Sequence, residues 1–290
     1  MKQDYKKIVS KGTTINKIYW NLYKRGIAGL TSSFRVLPDF IIIGSMKSGT
    51  TSLYHDICEH PCVSPAAYDE IGFFDRNYEL GVNWYRSLFP TKMNKKIGIM
   101  KRKFFMTGED TPFYFWNPIA AKRMKSLLPE IKLIIILRNP IDRAYSEYQD
   151  IINIDPTFDE FNKIIKEEIN LYKNNLVDIS EENFNEYNKR NSFLLRGMYL
   201  NQLEIWTKIF SKKQIFILST ENLSSKPVNE LESIFSYLEL PNYKIENLHN
   251  KKQKKYSPMD SGTRKILIEF YKPYNEKLFK CIGKKFEWDR

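Results

Sequence analysis

Two stretches of the chain are apolar without interruption: "FIIIG", from Phe40, and "KLIIILR", from Lys132. Continuous rather than alternating apolar character, rich in β-branched residues, marks strands buried on both faces of a parallel sheet. A third and weaker run, "QIFILS", spans Gln214 to Ser219. Around these runs apolar positions recur at helical spacing, which predicts helices over Gly49–Glu59, Pro118–Leu128, Pro140–Ile152, Phe193–Phe210 and Val228–Leu238. Strands alternating with helices predict an α/β fold, a central parallel sheet flanked by helices, with ligands expected at the carboxyl ends of the strands. The helix after the second run has a readable start: Asn139 can cap it, Pro140 suits its first position and Asp142 lies in its positive first turn. Arg138 then sits at the strand's carboxyl edge and Ser146 two turns into the helix. The segments Ser64–Phe115 and Asn247–Gly262 have no strong period and read as long substrate loops over the sheet edge.

Length and composition narrow this picture. A chain of 290 residues can bury a substantial core, and we expect residues 38–290 to form one domain preceded by a basic arm or peripheral helix over 1–37. Lysine and arginine number 46 against 34 acidic residues, a formal charge of +12, which favours anionic partners unless the lysines are only a solvated surface. Cys58, Cys62 and Cys281 form no C-x-x-C pair, and three histidines make a histidine-based metal centre improbable. No run approaches 18 to 20 apolar residues and the amino terminus lacks a signal-peptide pattern. The expectation is a cytoplasmic protein without a transmembrane segment, with peripheral membrane contact through Lys6–Arg35 left open.

The candidate chemistry begins in "FIIIGSMKSGTTSL", Phe40 to Leu53. Gly44 and Gly49 have the separation of a Walker phosphate loop and Thr51 fills its hydroxyl position, but Thr50 stands where the lysine belongs, and Lys47 lies inside the loop. A glycine-bearing turn between a buried strand and a helix offers backbone N–H groups and a positive helix end to a phosphate. The fold is thus P-loop-like. In P-loop enzymes acting on ATP or GTP, the second buried strand ends in an aspartate that helps hold magnesium. Here it ends in Arg138, so the site is expected to neutralise phosphate with side chains and to require no metal. Three bland readings stay open: an ordinary small polar turn, an Arg138 that only pairs with Asp142 or Glu147, and a solvated loop acid at Asp69 or Glu70.

"GSMKSGTTSL", "DEIGFFD" and "ILRNPIDRAYSEY", in this order and spacing, resemble the sulfotransferases that use 3′-phosphoadenosine 5′-phosphosulfate. The likeness is closer to the carbohydrate, heparan-sulfate-type branch. It continues through "GEDTPFYF", "RGMYLNQLEIWTKIF" and "EFYKPYNEKLFKCIGKKFEWD", and so covers nearly everything after Pro38. The resemblance implies transfer of a sulfuryl group from that donor to a hydroxyl, with 3′-phosphoadenosine 5′-phosphate as product. It implies Lys47 at the bridging oxygen and 5′-phosphate, Ser48, Gly49, Thr50, Thr51 and Ser52 around that phosphate, and Arg138 with Ser146 at the 3′-phosphate. Glu70 matches the family's catalytic base, with Asp69 an adjacent competitor. The run "NKKQKKYSPM" matches a basic loop over the nucleotide, with Lys254, Lys255 and Tyr256 as candidates.

The pattern departs from the branch on the acceptor side. Heparan-type enzymes commonly have lysine at the position of Asp110 and often histidine at that of Gly72. An added anion argues against a highly sulfated acceptor, because like charges brought together cost binding. Arg76, Trp84, Asp110, Tyr114 and Arg196 are the acceptor-side candidates, for a glycan, a lipid-linked sugar or a small alcohol; many of the aromatics are expected to be core, as are Phe73 and Phe74. Two other classes compete: a magnesium-dependent kinase or NTPase with a degenerate loop, and a noncatalytic binder of nucleic acid or anionic glycan. The missing lysine after Gly49 speaks against the first, and no aromatic-basic RNA motif supports the second.

Overall fold

The three apolar runs are strands, and two further strands lie where no apolar run exists. The computed structural model describes residues 30–173, 192–245 and 256–288. In chain order the strands are β1 (Phe40–Gly44), β2 (Val63–Pro65), β3 (Met106–Asp110), β4 (Lys132–Leu137) and β5 (Ile215–Ser219). They pair in parallel in the order β2-β3-β1-β4-β5. The chain moves outward from β1 on one side and returns to lay β4 on the other, so β1 borders the topological switch, where ligands collect at strand carboxyl ends. The helices are α1 (Thr50–Cys58), α2 (Gly81–Ser87), α3 (Lys92–Arg102), α4 (Pro118–Leu127), α5 (Pro140–Ile154), α6 (Phe161–Lys173), α7 (Phe193–Gly197), α8 (Tyr199–Ile209), α9 (Thr220–Ser225), α10 (Pro227–Leu238) and α11 (Ser261–Ile282).

The sheet is buried on both faces, as its continuous apolar runs require. Ile41, Ile43, Leu133 and Ile135 pack with Ala121 and Met124 of α4 and Leu203 and Trp206 of α8. Phe40, Ile42, Ile134 and Ile136 point the other way, to Leu53 and Ile57 of α1 and Ile234 and Leu238 of α10. A third cluster joins α5, α6, α7 and α11 through Ile141, Phe161, Phe193 and Tyr271.

Two expectations are corrected. Ser64–Phe115 is no long loop, because it contains α2, α3 and β3. β3 reads "MTGED" and carries no apolar run, yet all five residues are buried. Thr107 finds partners from outside the strand: Asp39 accepts from its amide (2.9 Å), and its hydroxyl donates to the Ser64 carbonyl (2.6 Å). The helix expected over Phe193–Phe210 breaks at Met198 into α7 and α8. The backbone at Gly197 lies so close to α5 and α11 that a Cβ there would stand 2.5 Å from the Tyr271 hydroxyl and 2.9 Å from Pro140 Cβ.

Candidate active site at the carboxyl edge of the sheet

The turn from β1 into α1 has the anatomy of an anion cradle. Gly49 adopts φ 87°, a left-handed conformation natural to glycine, and no side chain caps the first amides of α1. Uncapped N–H groups at a positive helix end suit a phosphate. The loop is pinned from beneath: Ser45 and Ser48 hydroxyls lie 2.6 Å apart, and Thr220 at the start of α9 donates to the Ser48 carbonyl (2.7 Å). Ser48 and Thr50 are buried, whereas Gly49 is exposed and Thr51 and Ser52 are half-buried. Arg138, leaving β4, donates from Nη1 to the Lys47 carbonyl (2.9 Å), which joins the two sequence elements directly. The Lys47 ammonium is ion-paired with Asp150 of α5. Asp150 is one helical turn beyond Ser146, which is buried in the same helix. Sequence reasoning missed Asp150; the i, i+4 relation to Ser146 was the signal that could have pointed to it.

Across β1 the neighbouring strand end brings carboxylates. The Glu70 amide donates to the Asp110 carbonyl at the end of β3 (2.9 Å), and Glu70 is exposed with φ 52°. Asp69, its sequence competitor, is paired with His55 (3.1 Å). Asp110 itself is fully buried, with the Thr51 hydroxyl and the Glu70 amide as the donors nearest its carboxylate. Burial, with the negative charges of Asp69 and Glu70 nearby, pushes its pKa up to about 6 against those hydrogen bonds. Glu109, on the opposite face of β3, is pushed up to about 8 by burial, against hydrogen bonds from Tyr85 (2.6 Å) and Thr111 (2.8 Å).

The remaining candidates separate. Trp84 and Tyr114, expected on the acceptor side, are core residues: both belong to the cluster beneath β1 and β4, and the Tyr114 hydroxyl lies 3.4 Å from Glu109 Oε1. Phe73 and Phe74 are core, as expected. Asp110, also expected to face an acceptor, is sealed at the strand end. Arg196 is buried and ion-paired with Glu147, which Arg143 holds from the other side (2.7 Å), and it borders a small recess with Ser45, Met46 and Trp116. Burial opposes the charge on Glu147, but the two guanidiniums outweigh it and hold its pKa below the usual carboxylate range. Arg76 is exposed beside Asp75. The alternative of Arg138 as a mere partner of Asp142 or Glu147 fails, since Asp142 pairs with Arg264 (2.8 Å) and Glu147 with the two buried arginines. Tyr256 packs on Tyr145 of α5, ring centres 5.7 Å apart, next to Ser146. Lys254 and Lys255, like most of the Lys6–Arg35 stretch, lie outside the described residues.

A parallel P-loop-like sheet with this turn defines a class. A family model described as the sulfotransferase domain matches residues 37–286, and the chain belongs to that family of enzymes. Relatives include the membrane-associated sulfotransferase kil1 of Dictyostelium discoideum, 27% identical over 87% of this chain and 66% of the relative. The bifunctional heparan sulfate N-deacetylase/N-sulfotransferase 1 of Caenorhabditis briggsae is 31% identical over 88% of this chain but only 31% of its own length. Human heparan sulfate glucosamine 3-O-sulfotransferase 3B1 is 29% identical over 89% of this chain and 66% of its own length. The chain thus spans about two thirds of kil1 and under a third of the bifunctional enzyme. A crystal structure of a sulfotransferase from Alicyclobacillus acidocaldarius shares the fold, with a TM-score of 0.65 and 22% identity over 88% of this chain and all of that one. These relatives overturn the expectation of a cytoplasmic protein: a member of the family is named as membrane-associated, so the lack of a long apolar run is no guide to compartment. Among the described residues no helix is long and apolar enough to cross a membrane.

Proposed function

We propose that the chain transfers a sulfuryl group from 3′-phosphoadenosine 5′-phosphosulfate to a hydroxyl of a carbohydrate or glycolipid acceptor by metal-independent in-line displacement, with residues 38–290 acting as one catalytic domain. The observation that carries this reading is the uncapped start of α1 with Lys47 and Arg138 hydrogen-bonded together beside it. Relatives named for heparan sulfate sulfation support a carbohydrate acceptor.

In this reading Ser48, Gly49, Thr50, Thr51 and Ser52 receive the 5′-phosphate and Arg138 with Ser146 the 3′-phosphate, while Lys254, Lys255 and Tyr256 belong to the segment over the nucleotide. The donor's phosphates compete with Asp150 for the Lys47 ammonium. Glu70 takes the acceptor's proton as its oxygen attacks sulfur. A new S–O bond forms, the bridging S–O bond breaks, and its electron pair leaves on the 5′-phosphate. Lys47 offsets that growing charge, a contribution made in the transition state rather than the ground state. An arginine where nucleotide hydrolases hold an aspartate favours the bisphosphate donor over a magnesium nucleotide. On the acceptor side Arg76 is the exposed cation nearest in sequence to Glu70.

Thermal unfolding with 3′-phosphoadenosine 5′-phosphate, 5′-AMP, or ATP with magnesium tests the reading. The bisphosphate at ~100 times its Kd is expected to add roughly 2.7 kcal/mol of stability, and the other two much less. Lys47→Ala and Glu70→Ala are expected to lose turnover, the glutamate variant keeping the bisphosphate shift. A shift with ATP and magnesium alone, or full turnover in both variants, would sink the proposal.

A further inference from the structure

Helix α3 is built unlike the other helices around the sheet. Residues 92–103 carry six cations, Lys92, Lys95, Lys96, Lys101, Arg102 and Lys103, and no acid. Only Gly98 of the helix is buried, against Phe105. Met93, Ile97 and Met100 recur at i, i+4 and i+7, within about 60° of one another on a helical wheel and facing away from Gly98. They are 63%, 43% and 69% exposed. The charges of Lys95 and Arg102 act inward, on Asp39 and Cys62. Lys92 and Lys96 flank the apolar stripe on one side and Lys101 on the other, and among the described residues no carboxylate pairs with them. Further exposed apolar residues join the helix's amino end. Arg35 bridges to Thr91, the capping residue, and brings in the segment that holds Leu30 and Phe34, 81% and 68% exposed.

We infer that α3 is a membrane-docking helix that lies flat on an anionic lipid surface. An apolar stripe bordered by unpaired lysines is complementary to the headgroup boundary: thioether and isoleucine side chains enter the acyl edge while the ammonium groups meet lipid phosphates and carboxylates. A protein partner would need an acidic rim of matching shape, whereas an anionic bilayer supplies the charge everywhere. The inference does not depend on the reaction proposed above. Its geometric consequence is specific: α3 leads into the amino end of β3, so the bilayer lies at the edge of the sheet opposite Lys47 and Glu70, and the strands set the site on the order of 15–20 Å further away.

Sedimentation of the full-length protein with phosphatidylcholine vesicles, with and without phosphatidylserine, at low and physiological salt, tests this. Binding is expected only to the anionic vesicles, about tenfold weaker or worse in Met93→Ser/Met100→Ser, and similarly weakened in Lys92→Gln/Lys96→Gln/Lys101→Gln. All five sites are exposed, so unfolding temperatures should stay within a few degrees of wild type, to be checked alongside. Equal binding by the serine variant would mean that general positive charge attracts the protein, and the inference falls. It falls equally if wild type ignores anionic vesicles. Light scattering that shows a dimer lost in the serine variant would assign the stripe to a second copy of the chain instead.

Discussion

Asp110, whose carbonyl accepts from the Glu70 amide, carries a fully buried carboxyl group beside the candidate base. A carboxyl group with no exposure, beside two other acids, prefers to be neutral even with the Thr51 hydroxyl and Glu70 amide close by. The unfolded chain ionises it near its ordinary value of 3.8, the native protein near 6. Between these values the native state holds a proton that the unfolded state has lost, so stability falls as pH rises through the window and stays lower above it. Asp110→Asn keeps the shape and removes the titration. Urea unfolding should find it more stable than wild type above pH 6, by something on the order of 2–3 kcal/mol, with little difference near pH 4. The resemblance marked Asp110 as a departure from the expected pattern and implied that it faces an acceptor. Burial is decided by what covers the strand end, and a five-residue polar string carries no sign of that.

At the scale of elements, the β4–α5 junction orders the site. Asn139 Oδ1 accepts from the Ile141 amide (3.0 Å), its Nδ2 donates to the Trp288 carbonyl (3.1 Å), and its amide is taken by Glu221 (2.8 Å). Arg138 and Ser146 stand on either side of this cap. Asn139→Ala should therefore cost about 1–2 kcal/mol in thermal unfolding and weaken binding of 3′-phosphoadenosine 5′-phosphate, measured by calorimetry, because the helix start sets the spacing of the two residues. The cap itself was legible, since Asn-Pro before an amphipathic helix is a local signal. Its second and third hydrogen bonds were not, because Glu221 and Trp288 arrive from distant segments.

Across the whole molecule, the last described residues close the structure over that junction. Trp288 is buried against Tyr199 and Phe279, and its indole N–H donates to Glu221 Oε2 (3.0 Å), the same side chain that accepts from Asn139. Trp288→Ala is expected to cost about 3–5 kcal/mol by cavity formation. Beyond that loss, bisphosphate affinity in the folded variant should drop, whereas Trp206→Ala, in the core below the sheet, should lower stability with little effect on affinity. Equal affinity losses in both would deny Trp288 any link to the site. At the same scale, α3 and the candidate site occupy opposite ends of one sheet, so a docked molecule would present the site away from the lipid and suit an acceptor group held clear of the surface.

The apolar runs at Phe40, Lys132 and Gln214 were enough to establish the parallel sheet, because a short run apolar at every position has to be covered on both faces. The β1–α1 loop and the cap at Asn139 were equally local, each written in a few consecutive residues. Tertiary structure alone decided that polar β3 is a strand, that Trp84 and Tyr114 are core, that Asp110 is sealed and Asp69 turned to His55, and that Lys47 meets Asp150. Each of these depends on a partner far away in the chain, and pairing at a distance leaves no periodicity for a sequence to display.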